Sequence, residues 1–453
     1  MIKAAEMIGA AAARFPGRAA YEADGVSITY KELWGRAQTE AERLARGGGA
    51  PVVIYGAKSP EMIISMLACL IAGRAYVPID VSVPALRIGS IIELLGAFTL
   101  SAHEPFPLAE LSPGEAAELP EGTAYVMFTS GSTGEPKGVP VSAENLAAFI
   151  EWITAFKPLS EYDGVRVLNQ ANFNFDLSVA DIYYSLCSGH TLTACTGGLR
   201  ELLELARKAN VTVTTPSFMK YCLLDPEFGG ASCPELRCMY FCGETLEVQT
   251  AAKIFDRFPE IRIINAYGPT EATSAVTAAE ITRDMLSGDS LPIGETANPT
   301  ADITVEDGEI VLRGRSVFGG YLNVKSNRCF CENGVNGYRT GDLGSVRSGR
   351  LYFGGRTDGQ IKYKGYRIEL ADIERNISAL EGVDGCVAVA KYDGCGRVKL
   401  IKAFASGDAS PEAIAARLTE RLPEYMIPKQ IAVLDSLPLN QNGKIDRRAL
   451  AEL

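Results

Sequence analysis

The chain has 453 residues, 47% of them hydrophobic and 22% charged, and its formal charge at pH 7 is −11. This length exceeds what one hydrophobic core usually serves, so we expect two or three domains, and the hydrophobic content excludes a disordered chain. The acidic balance argues against a nucleic-acid partner, and the lack of a long uncharged apolar run argues against membrane insertion. Eleven scattered cysteines fit reduced thiols, so we expect a cytoplasmic protein without a disulfide framework.

Short β-branched or aromatic runs alternate with segments of helical periodicity through about the first 270 residues. The pattern predicts strands at residues 52–56, 125–129, 165–169, 211–215, 239–242 and 262–265. It predicts helices between them at residues 143–155, 199–209 and 250–258. This βα alternation predicts an α/β fold with parallel-rich sheets, in which ligands bind beyond the carboxyl ends of the strands.

After about residue 290 the pattern changes to short strands joined by Gly/Asp turns, which predicts a small antiparallel, β-barrel-like part of the large N-terminal domain. From Asp358 onward, a hairpin, a helix, two strands, a second helix and a final hairpin predict a small α+β C-terminal domain. Basic and acidic residues balance from Asp358 to the end, so the net negative charge belongs to the preceding part. We therefore expect a large domain over 1–354, a hinge over 355–359 and a small domain over 360–453.

The predicted strand at 125–129 runs into a loop that is rich in glycine and hydroxyl side chains and contains a single lysine. Glycines let backbone N–H groups close around phosphate oxygens, the hydroxyls donate hydrogen bonds, and the lysine adds a point charge. The spacing is not that of a Walker A loop, because Pro136 and Gly138 stand at two required positions. A flexible Gly/Ser turn is the alternative to a phosphate-binding loop. The residues that we assign to phosphate binding are Thr129, Ser130, Gly131, Ser132, Thr133, Gly134 and Lys137.

Five sequence blocks resemble those of the adenylate-forming enzymes and follow one another along the chain in the same order. This family includes acyl-CoA ligases, luciferases and the adenylation domains of peptide synthetases. The phosphate-binding loop is the first block. The other four are Asn265-Ala-Tyr-Gly-Pro-Thr-Glu271, Tyr338-Arg-Thr-Gly-Asp-Leu343, Gly355-Arg-Thr-Asp358 with residues 360–369, and Asn442-Gly-Lys-Ile-Asp446. The resemblance implies the fold of this family and an ATP-dependent reaction with Mg²⁺.

The resemblance also implies how ATP would be bound. Tyr267 offers an aromatic face to adenine, and Asp342 can accept hydrogen bonds from both ribose hydroxyls. Arg356 can add a second ribose contact, although Asp342 as a plain turn residue is an alternative. The remaining residues that the resemblance assigns to the nucleotide are Asn265, Ala266 and Gly268.

Four further residues would serve the reaction itself. Thr270 can hydrogen-bond the α-phosphate, and Glu271 is a hard oxygen ligand suited to Mg²⁺. Lys444 would neutralise charge that develops on the carboxylate and the α-phosphate, although taken alone it reads as a surface lysine. Asp358 would be the hinge about which the small domain rotates between an adenylate-forming and a thioester-forming state.

The block from Asn172 to Tyr183 resembles the one in which amino-acid-activating members of the family keep an aspartate for the substrate's α-ammonium. Asp176 is the matching residue. Beside Phe175, a buried carboxylate would be costly without a cationic partner. The alternative is that Asp176 is an N-cap of the apolar helix that follows it.

Segments at residues 174–179, 215–219, 222–228 and 241–244 resemble the branch of the family that ligates D-alanine to a carrier protein. The resemblance implies that Cys242 faces the substrate methyl group and helps to select the D-isomer, with an ordinary core cysteine as the alternative. Gly268 and Ser274 complete the expected substrate pocket. Ser274 stands where the branch usually has valine, so its hydroxyl favours a more polar substrate such as serine or simply binds water.

These observations together predict a monomeric amino-acid adenylating ligase. ATP with Mg²⁺ and an amino acid, D-alanine, would give aminoacyl-AMP, and the phosphopantetheine thiol of a separate carrier protein would then take the aminoacyl group. Three alternatives remain: an adenylation enzyme for another amino acid in a peptide-synthetase-like pathway, an acyl- or aryl-CoA synthetase, and a non-catalytic nucleotide-binding relative.

Overall fold

The computed structural model describes residues 1–96, 98–108, 118–131, 135–393, 398–438 and 445–453. Its helices are α1 (Lys3–Arg14), α2 (Tyr30–Ala45), α3 (Pro60–Ala72), α4 (Ala85–Leu95), α5 (Ala143–Ala155), α6 (Lys157–Ser160), α7 (Leu177–Ser188), α8 (Leu199–Lys208), α9 (Pro216–Cys222), α10 (Val248–Arg257), α11 (Leu370–Ser378), α12 (Pro411–Leu418) and α13 (Arg447–Glu452).

The strands alternate with these helices over most of the chain. They are β1 (Ala19–Ala23), β2 (Val26–Thr29), β3 (Val52–Gly56), β4 (Tyr76–Asp80), β5 (Thr99–Ala102), β6 (Thr123–Thr129), β7 (Lys137–Ser142), β8 (Arg166–Asn169), β9 (Thr191–Ala194), β10 (Val211–Thr214), β11 (Cys238–Phe241), β12 (Arg262–Tyr267), β13 (Thr277–Ile281), β14 (Gly294–Glu295), β15 (Ala301–Glu306), β16 (Glu309–Gly314), β17 (Cys329–Glu332), β18 (Val335–Arg347), β19 (Arg350–Arg356), β20 (Gln360–Tyr363), β21 (Tyr366–Glu369), β22 (Val383–Tyr392), β23 (Val398–Gly407) and β24 (Gln430–Leu434).

Two parallel-rich sheets form the N-terminal part, as the sequence predicts. One has the strand order β5-β3-β4-β6-β7, with β6 and β7 as its antiparallel pair. The other has the order β13-β12-β11-β10-β8-β9-β1-β2, and its antiparallel pairs lie at the two ends. The carboxyl ends of β8, β10, β11 and β12 therefore meet at one edge, where α/β sheets bind ligands.

The helices of the N-terminal part cover both sheets. Helices α1, α3, α5 and α7 share one apolar core with residues from both sheets. Helices α8, α9 and α10 pack on the other face of the eight-stranded sheet, and α4 packs on the other face of the five-stranded sheet. In the described part of the chain, no helix is both long and apolar enough to cross a membrane.

Residues 294–356 form the antiparallel part that the sequence predicts. Its strand order is β14-β19-β18-β16-β15, and β17 pairs with residues 335–338 at the start of β18. Strand β18 is 13 residues long and pairs with both β16 and β19. The sheet thereby brings Asp342 opposite Arg356, two residues that the sequence assigns to ribose.

The C-terminal part consists of the β20–β21 hairpin and the sheet β22-β23-β24. Helices α11 and α12 pack on one face of this sheet and α13 packs on the other. Strand β24 pairs parallel with β23. The predicted final hairpin includes residues 439–444, which lie outside the described residues. The chain ends in α13, whose Leu450 is buried against Val387 and Phe404.

Candidate active site

A cavity of about 150 Å³ lies at the carboxyl ends of the parallel strands, beneath the β20–β21 hairpin. It brings together ten of the residues that the sequence assigns to the site, from the N-terminal sheets and from the antiparallel sheet. These are Thr129, Ser130, Phe175, Asp176, Cys242, Gly268, Thr270, Ser274, Asp342 and Arg356. The hairpin adds Lys362, Lys364 and Arg367 to the wall, so the cavity is lined from both parts of the chain.

Asp342 anchors the part of the cavity assigned to ribose. The Tyr267 hydroxyl donates to Asp342 Oδ2 over 2.6 Å, and the Arg356 guanidinium pairs with Oδ1. Burial raises the pKa of Tyr267, and the charge of Asp342 adds to the shift, so the phenol keeps its proton. The carboxylate is 3% exposed and has charged and polar partners, which a plain turn residue would not need.

The same arginine reaches the predicted hinge. Arg356 Nε lies 2.8 Å from Asp358 Oδ1, and Arg328 Nη2 lies 2.9 Å from Asp358 Oδ2. Burial works to raise the pKa of Asp358, but Arg356 and Arg328 outweigh it and hold that pKa well below its usual range. Asp358 stands between β19 and β20, so it links the proposed ribose contact to the start of the C-terminal part.

Glu271 is a buried carboxylate on the short 3-10 helix Thr270–Ala272. It accepts a hydrogen bond of 2.5 Å from the Tyr321 hydroxyl and one of 2.6 Å from Arg367 Nη1. Burial alone would raise the pKa of Glu271, but Arg367 and Tyr321 outweigh it and the net pKa is lowered. Glu271 is therefore an ionised oxygen donor close to the cavity, which is the chemistry that Mg²⁺ prefers.

The described part of the phosphate-binding loop contacts the hairpin. The Ser130 hydroxyl donates to the Arg367 carbonyl over 3.0 Å and accepts from the Glu369 N–H over 3.1 Å. Lys137 Nζ lies 4.0 Å from Glu369 Oε1. The structure also describes Gly131 of this loop. Ser132, Thr133 and Gly134 of the loop, and Lys444 of the C-terminal part, lie outside the described residues.

Asp176 occupies the N-cap position of α7, but its side chain makes no capping hydrogen bond. The helix-cap alternative therefore does not account for this aspartate. Burial raises the pKa of Asp176, while a hydrogen bond with Thr270 and the charges of Arg367 and Lys362 oppose the shift. A carboxylate that burial destabilises in this way is suited to pairing with a cation that enters the cavity.

An aromatic cluster lies beside Asp176. The Phe175 ring centroid is 4.7 Å from that of Tyr366 and 5.7 Å from that of Tyr425. Tyr366 and Tyr425 stack at 3.8 Å with their planes 8° apart. Phe175 belongs to the N-terminal part and both tyrosines to the C-terminal part, so the cluster joins the two over the cavity.

Cys242, Gly268 and Ser274 form one continuous piece of the cavity wall. Cys242 Sγ lies 3.9 Å from the Ser274 carbonyl oxygen. Burial raises the pKa of Cys242 to about 12, so the thiol stays protonated and is a poor nucleophile at neutral pH. A Cβ at Gly268 would lie 2.5 Å from Ala275 Cα, so no side chain fits there.

Asn265, Ala266 and Tyr267 form the carboxyl-terminal half of β12 beside this wall. The Asn265 side chain donates to the Pro292 carbonyl over 2.8 Å, so it supports the neighbouring loop.

The sequence did not predict two residues that contact Glu271, namely Arg367 and Tyr321. Arg367 lies in the quoted block 360–369. No sequence signal marks Tyr321, because its partner Glu271 is 50 residues away in the chain.

Comparison with known proteins identifies the class to which this site belongs. Residues 8–322 match the AMP-binding enzyme family, and residues 372–444 match the AMP-binding enzyme C-terminal domain. The chain therefore belongs to the AMP-binding enzyme family, and the predicted resemblance to adenylate-forming enzymes is confirmed.

Curated relatives narrow the comparison. The chain is 40% identical to the D-alanine–D-alanyl carrier protein ligase of Bacillus licheniformis, over 96% of this chain and 96% of the relative. It is 38% identical to the ligase of the same name from Listeria monocytogenes, over 98% of each chain.

A solved structure of a holo NRPS protein containing adenylation and PCP domains, bound to a vinylsulfonamide inhibitor, shares the fold with a TM-score of 0.80. That chain is 27% identical, and the alignment covers 99% of this chain and 83% of that one. The Vibrio cholerae adenylation domain AlmE has a TM-score of 0.83 at 24% identity, over 100% and 97% of the two chains.

Proposed function

We propose that this chain is a ligase that uses ATP to convert an amino acid, D-alanine, into aminoacyl-AMP and pyrophosphate. It then transfers the aminoacyl group to the phosphopantetheine thiol of a separate carrier protein. The names of its curated relatives support this substrate and this partner. We expect the enzyme to act as a cytoplasmic monomer.

The position of Asp176 is the observation that carries this proposal. Its carboxylate caps no helix and lines the same cavity as Thr270 and Asp342, which we assign to the nucleotide. An amino acid whose α-ammonium pairs with Asp176 would have its carboxylate within the cavity that holds the α-phosphate. A fatty acid or an aryl acid has no cation to pair with Asp176, which disfavours an acyl- or aryl-CoA synthetase.

Residues of this chain would orient the nucleotide. Asp342 would accept hydrogen bonds from the ribose hydroxyls. Arg356, which contacts both Asp342 and Asp358, would hold these two carboxylates in position. The Ser130 hydroxyl and the Lys137 ammonium would bind phosphate oxygens when the hairpin leaves them. Gly268 lines the cavity, and no side chain fits there because its Cβ would lie 2.5 Å from Ala275 Cα.

Glu271 fits a Mg²⁺ ion, because it is a buried, ionised carboxylate at the edge of the cavity. Bound Mg²⁺ would supply positive charge beside the phosphates. Arg367 now holds one oxygen of this carboxylate and Tyr321 the other. We therefore expect Arg367 to move away from Glu271 in the state that binds ATP with its metal ion.

The two half-reactions would use different positions of the C-terminal part. We propose a large domain over 1–354, a hinge at 355–359 centred on Asp358, and a mobile small domain over 360–453. The β20–β21 hairpin at the cavity supports a thioester-forming position here. Ile445 packs on the small sheet with Val387 and Phe404. Lys444 lies outside the described residues, and we propose that rotation about Asp358 brings it to the reaction in the adenylate-forming position.

In the transfer step, the carrier thiol would attack the acyl carbon of aminoacyl-AMP and AMP would leave. The C–O bond to AMP breaks as the C–S bond forms, and the thiol proton goes to solvent or to the departing phosphate. Cys242 is not needed as a nucleophile, since burial keeps its thiol protonated. Activation of the carboxylate as an acyl phosphate makes the leaving group good enough for a thiol.

Pyrophosphate exchange with a panel of D- and L-amino acids tests the proposal. We expect exchange that depends on an amino acid and is fastest for a D-isomer. Exchange with none of them would contradict amino-acid activation, and preference for an L-isomer would contradict the D-alanine assignment. Thioester formation with free CoA at low concentration would favour a CoA synthetase instead.

A second measurement separates the enzyme from a nucleotide-binding relative that has lost catalysis. We expect Lys444→Ala to lose exchange while it still binds ATP, because the lysine would stabilise charge only in the transition state. Lys429→Ala is the matched control, since Lys429 is an exposed lysine of the same C-terminal part. Stable ATP binding without turnover in the wild-type protein would support the non-catalytic alternative.

A further inference from the structure

The loop that carries Asp176 connects β8 to α7 over residues 170–176. All of its residues except Phe173 line the cavity. The structure describes the whole loop, and no part of it belongs to a helix or a strand. Its backbone polar groups therefore lack the regular partners of a helix or a sheet, so its position depends on contacts from other parts of the chain.

A buried lysine from the N-terminal sheet holds the start of this loop. Lys58 follows β3 and is only 8% exposed. Its Nζ donates to the Gln170 carbonyl over 3.1 Å. The Gln170 side chain in turn accepts from the Thr215 N–H over 2.8 Å, and Thr215 also lines the cavity. Lys58 is not one of the described residues that line the cavity, so it can affect a bound substrate only through the loop.

A second contact ties the two ends of the loop to each other. Asn169 is the last residue of β8, and its side chain donates to Asp181 Oδ2 on α7 over 2.9 Å. Burial raises the pKa of Asp181, while the hydrogen bond from Asn169 and the charge of Lys58 oppose the shift. Burial lowers the pKa of Lys58, and Asp181 is among the acidic groups that oppose this shift. Lys58 and Asp181 therefore each favour the charged form of the other inside the protein.

We propose that Lys58 is a positioning residue for the amino acid, because its ammonium fixes the Gln170 carbonyl and thereby the loop that presents Asp176. Asp181 balances the buried charge of Lys58 and holds the other end of the loop through Asn169. This role rests on the proposed function, in which Asp176 pairs with the α-ammonium of the substrate. A buried ammonium is costly unless it is paired and hydrogen-bonded, and these contacts provide both.

Lys58→Met tests this role, since methionine keeps much of the apolar stem and removes the donor and the charge. In pyrophosphate exchange with D-alanine, we expect the KM for the amino acid to rise about tenfold, because a hydrogen bond from a charged group no longer fixes the loop. We expect the KM for ATP to stay at the wild-type value. We also expect the variant to unfold at a lower urea concentration, because Asp181 stays buried without its cationic neighbour.

The double variant Lys58→Met with Asp181→Asn separates positioning from stability. Asparagine at this position can still accept from Asn169, and neither buried charge remains. We expect the urea midpoint to return towards the wild-type value while the KM for the amino acid stays raised, because the Gln170 carbonyl still lacks its donor. Recovery of this KM together with stability would show that Lys58 acts only on stability, which would overturn the inference.

Arg74→Met is the matched control. Arg74 is a buried cation that is 4% exposed, and its guanidinium donates to the carbonyls of Leu44 and Ala50. These partners precede β3, whereas Lys58 follows this strand. We expect Arg74→Met to be less stable than the wild-type protein but to keep both KM values. A rise in the KM for the amino acid that equals the rise in Lys58→Met would assign the effect to general destabilisation and overturn the inference.

The outcomes separate this inference from the proposed function. An unchanged KM for the amino acid in Lys58→Met, or an equal rise in the KM for ATP, would overturn the positioning role and leave amino-acid activation intact. Exchange with no amino acid in the wild-type protein would contradict the proposed function itself. If Lys58→Met does not fold, the double variant decides: a raised KM for the amino acid supports the role, and a wild-type KM overturns it.

Discussion

The ion pair between Arg367 and Glu271 joins the β20–β21 hairpin to the proposed nucleotide site. Arg367→Met keeps much of the apolar stem and removes the charge. Arg367 Nη1 lies 2.6 Å from Glu271 Oε2, and Glu271 is 1% exposed. The variant leaves a buried carboxylate with Tyr321 as its remaining side-chain donor among the described residues, so we expect the docked hairpin to be destabilised.

The size of the effect follows from this contact. A hydrogen bond to a charged group contributes about 1.5–3 kcal/mol, and about 1.4 kcal/mol is a tenfold change in an equilibrium constant. Hairpin docking should thus become about ten- to hundredfold less favourable in Arg367→Met. Under the proposed function, only transfer to the carrier needs the docked hairpin. Carrier loading should fall by about this factor, while exchange with pyrophosphate changes far less.

Two assays on the same preparations measure this difference. Single-turnover loading of a phosphopantetheinylated carrier with radiolabelled amino acid reports transfer, and pyrophosphate exchange reports activation. Arg375→Met is the control, because Arg375 is an exposed arginine on α11 and the change removes the same charge. Equal losses in both half-reactions, or the same result for both variants, would refute a docking role for Arg367.

Three further substitutions test single contacts. Asp176→Asn should raise the KM for the amino acid in pyrophosphate exchange about ten- to hundredfold, because the substrate ammonium loses its charged partner. An equal rise in the KM for ATP would argue against a specific role of Asp176 in binding the amino acid. Gly268→Ala should lower the free energy of unfolding in urea by about 1–3 kcal/mol, because the added Cβ would lie 2.5 Å from Ala275 Cα. If the variant is as stable as the wild-type protein, the turn can relax and this prediction is wrong. Burial lowers the pKa of His190 from 6.5 to about 4, so the unfolded chain takes up this proton first as the pH falls. Relative to His190→Phe, the wild-type protein should therefore lose about 3 kcal/mol of unfolding free energy between pH 7 and pH 4, and parallel pH profiles would contradict this burial effect.

Local sequence signals predicted six strands and three helices of the N-terminal part. The helix predicted over 143–155 is α5. Its sequence made it predictable, because Ser142 and Asn145 form a capping box at its start and apolar residues recur at helical spacing. The strand predicted over 52–56 is β3, which is buried along its whole length. Signals of this kind lie within one element and need no knowledge of the partners in space.

Pairing between distant segments was harder to predict. Strand β24 has the apolar residues of a strand, but nothing local shows that its partner is β23 and that the two run parallel. The aromatic cluster of Phe175, Tyr366 and Tyr425 joins residues that are about 190 and 250 positions apart in the chain. Each of these side chains alone is compatible with any apolar core, so the sequence could not mark them as neighbours.

The site shows the same division between what is local and what is not. Motifs marked Ser130, Lys137 and Glu271 for phosphates and metal, because hydroxyl, ammonium and carboxylate groups suit those ligands. The structure adds that all three contact the β20–β21 hairpin, through Arg367 and Glu369. One set of polar groups cannot serve the hairpin and the nucleotide at once, since each hydrogen-bonding position holds one partner at a time. A motif indicates which chemistry a residue can perform. Only the folded chain shows that the hairpin and the nucleotide compete for the same residues. This competition is what would separate amino-acid activation from transfer to the carrier.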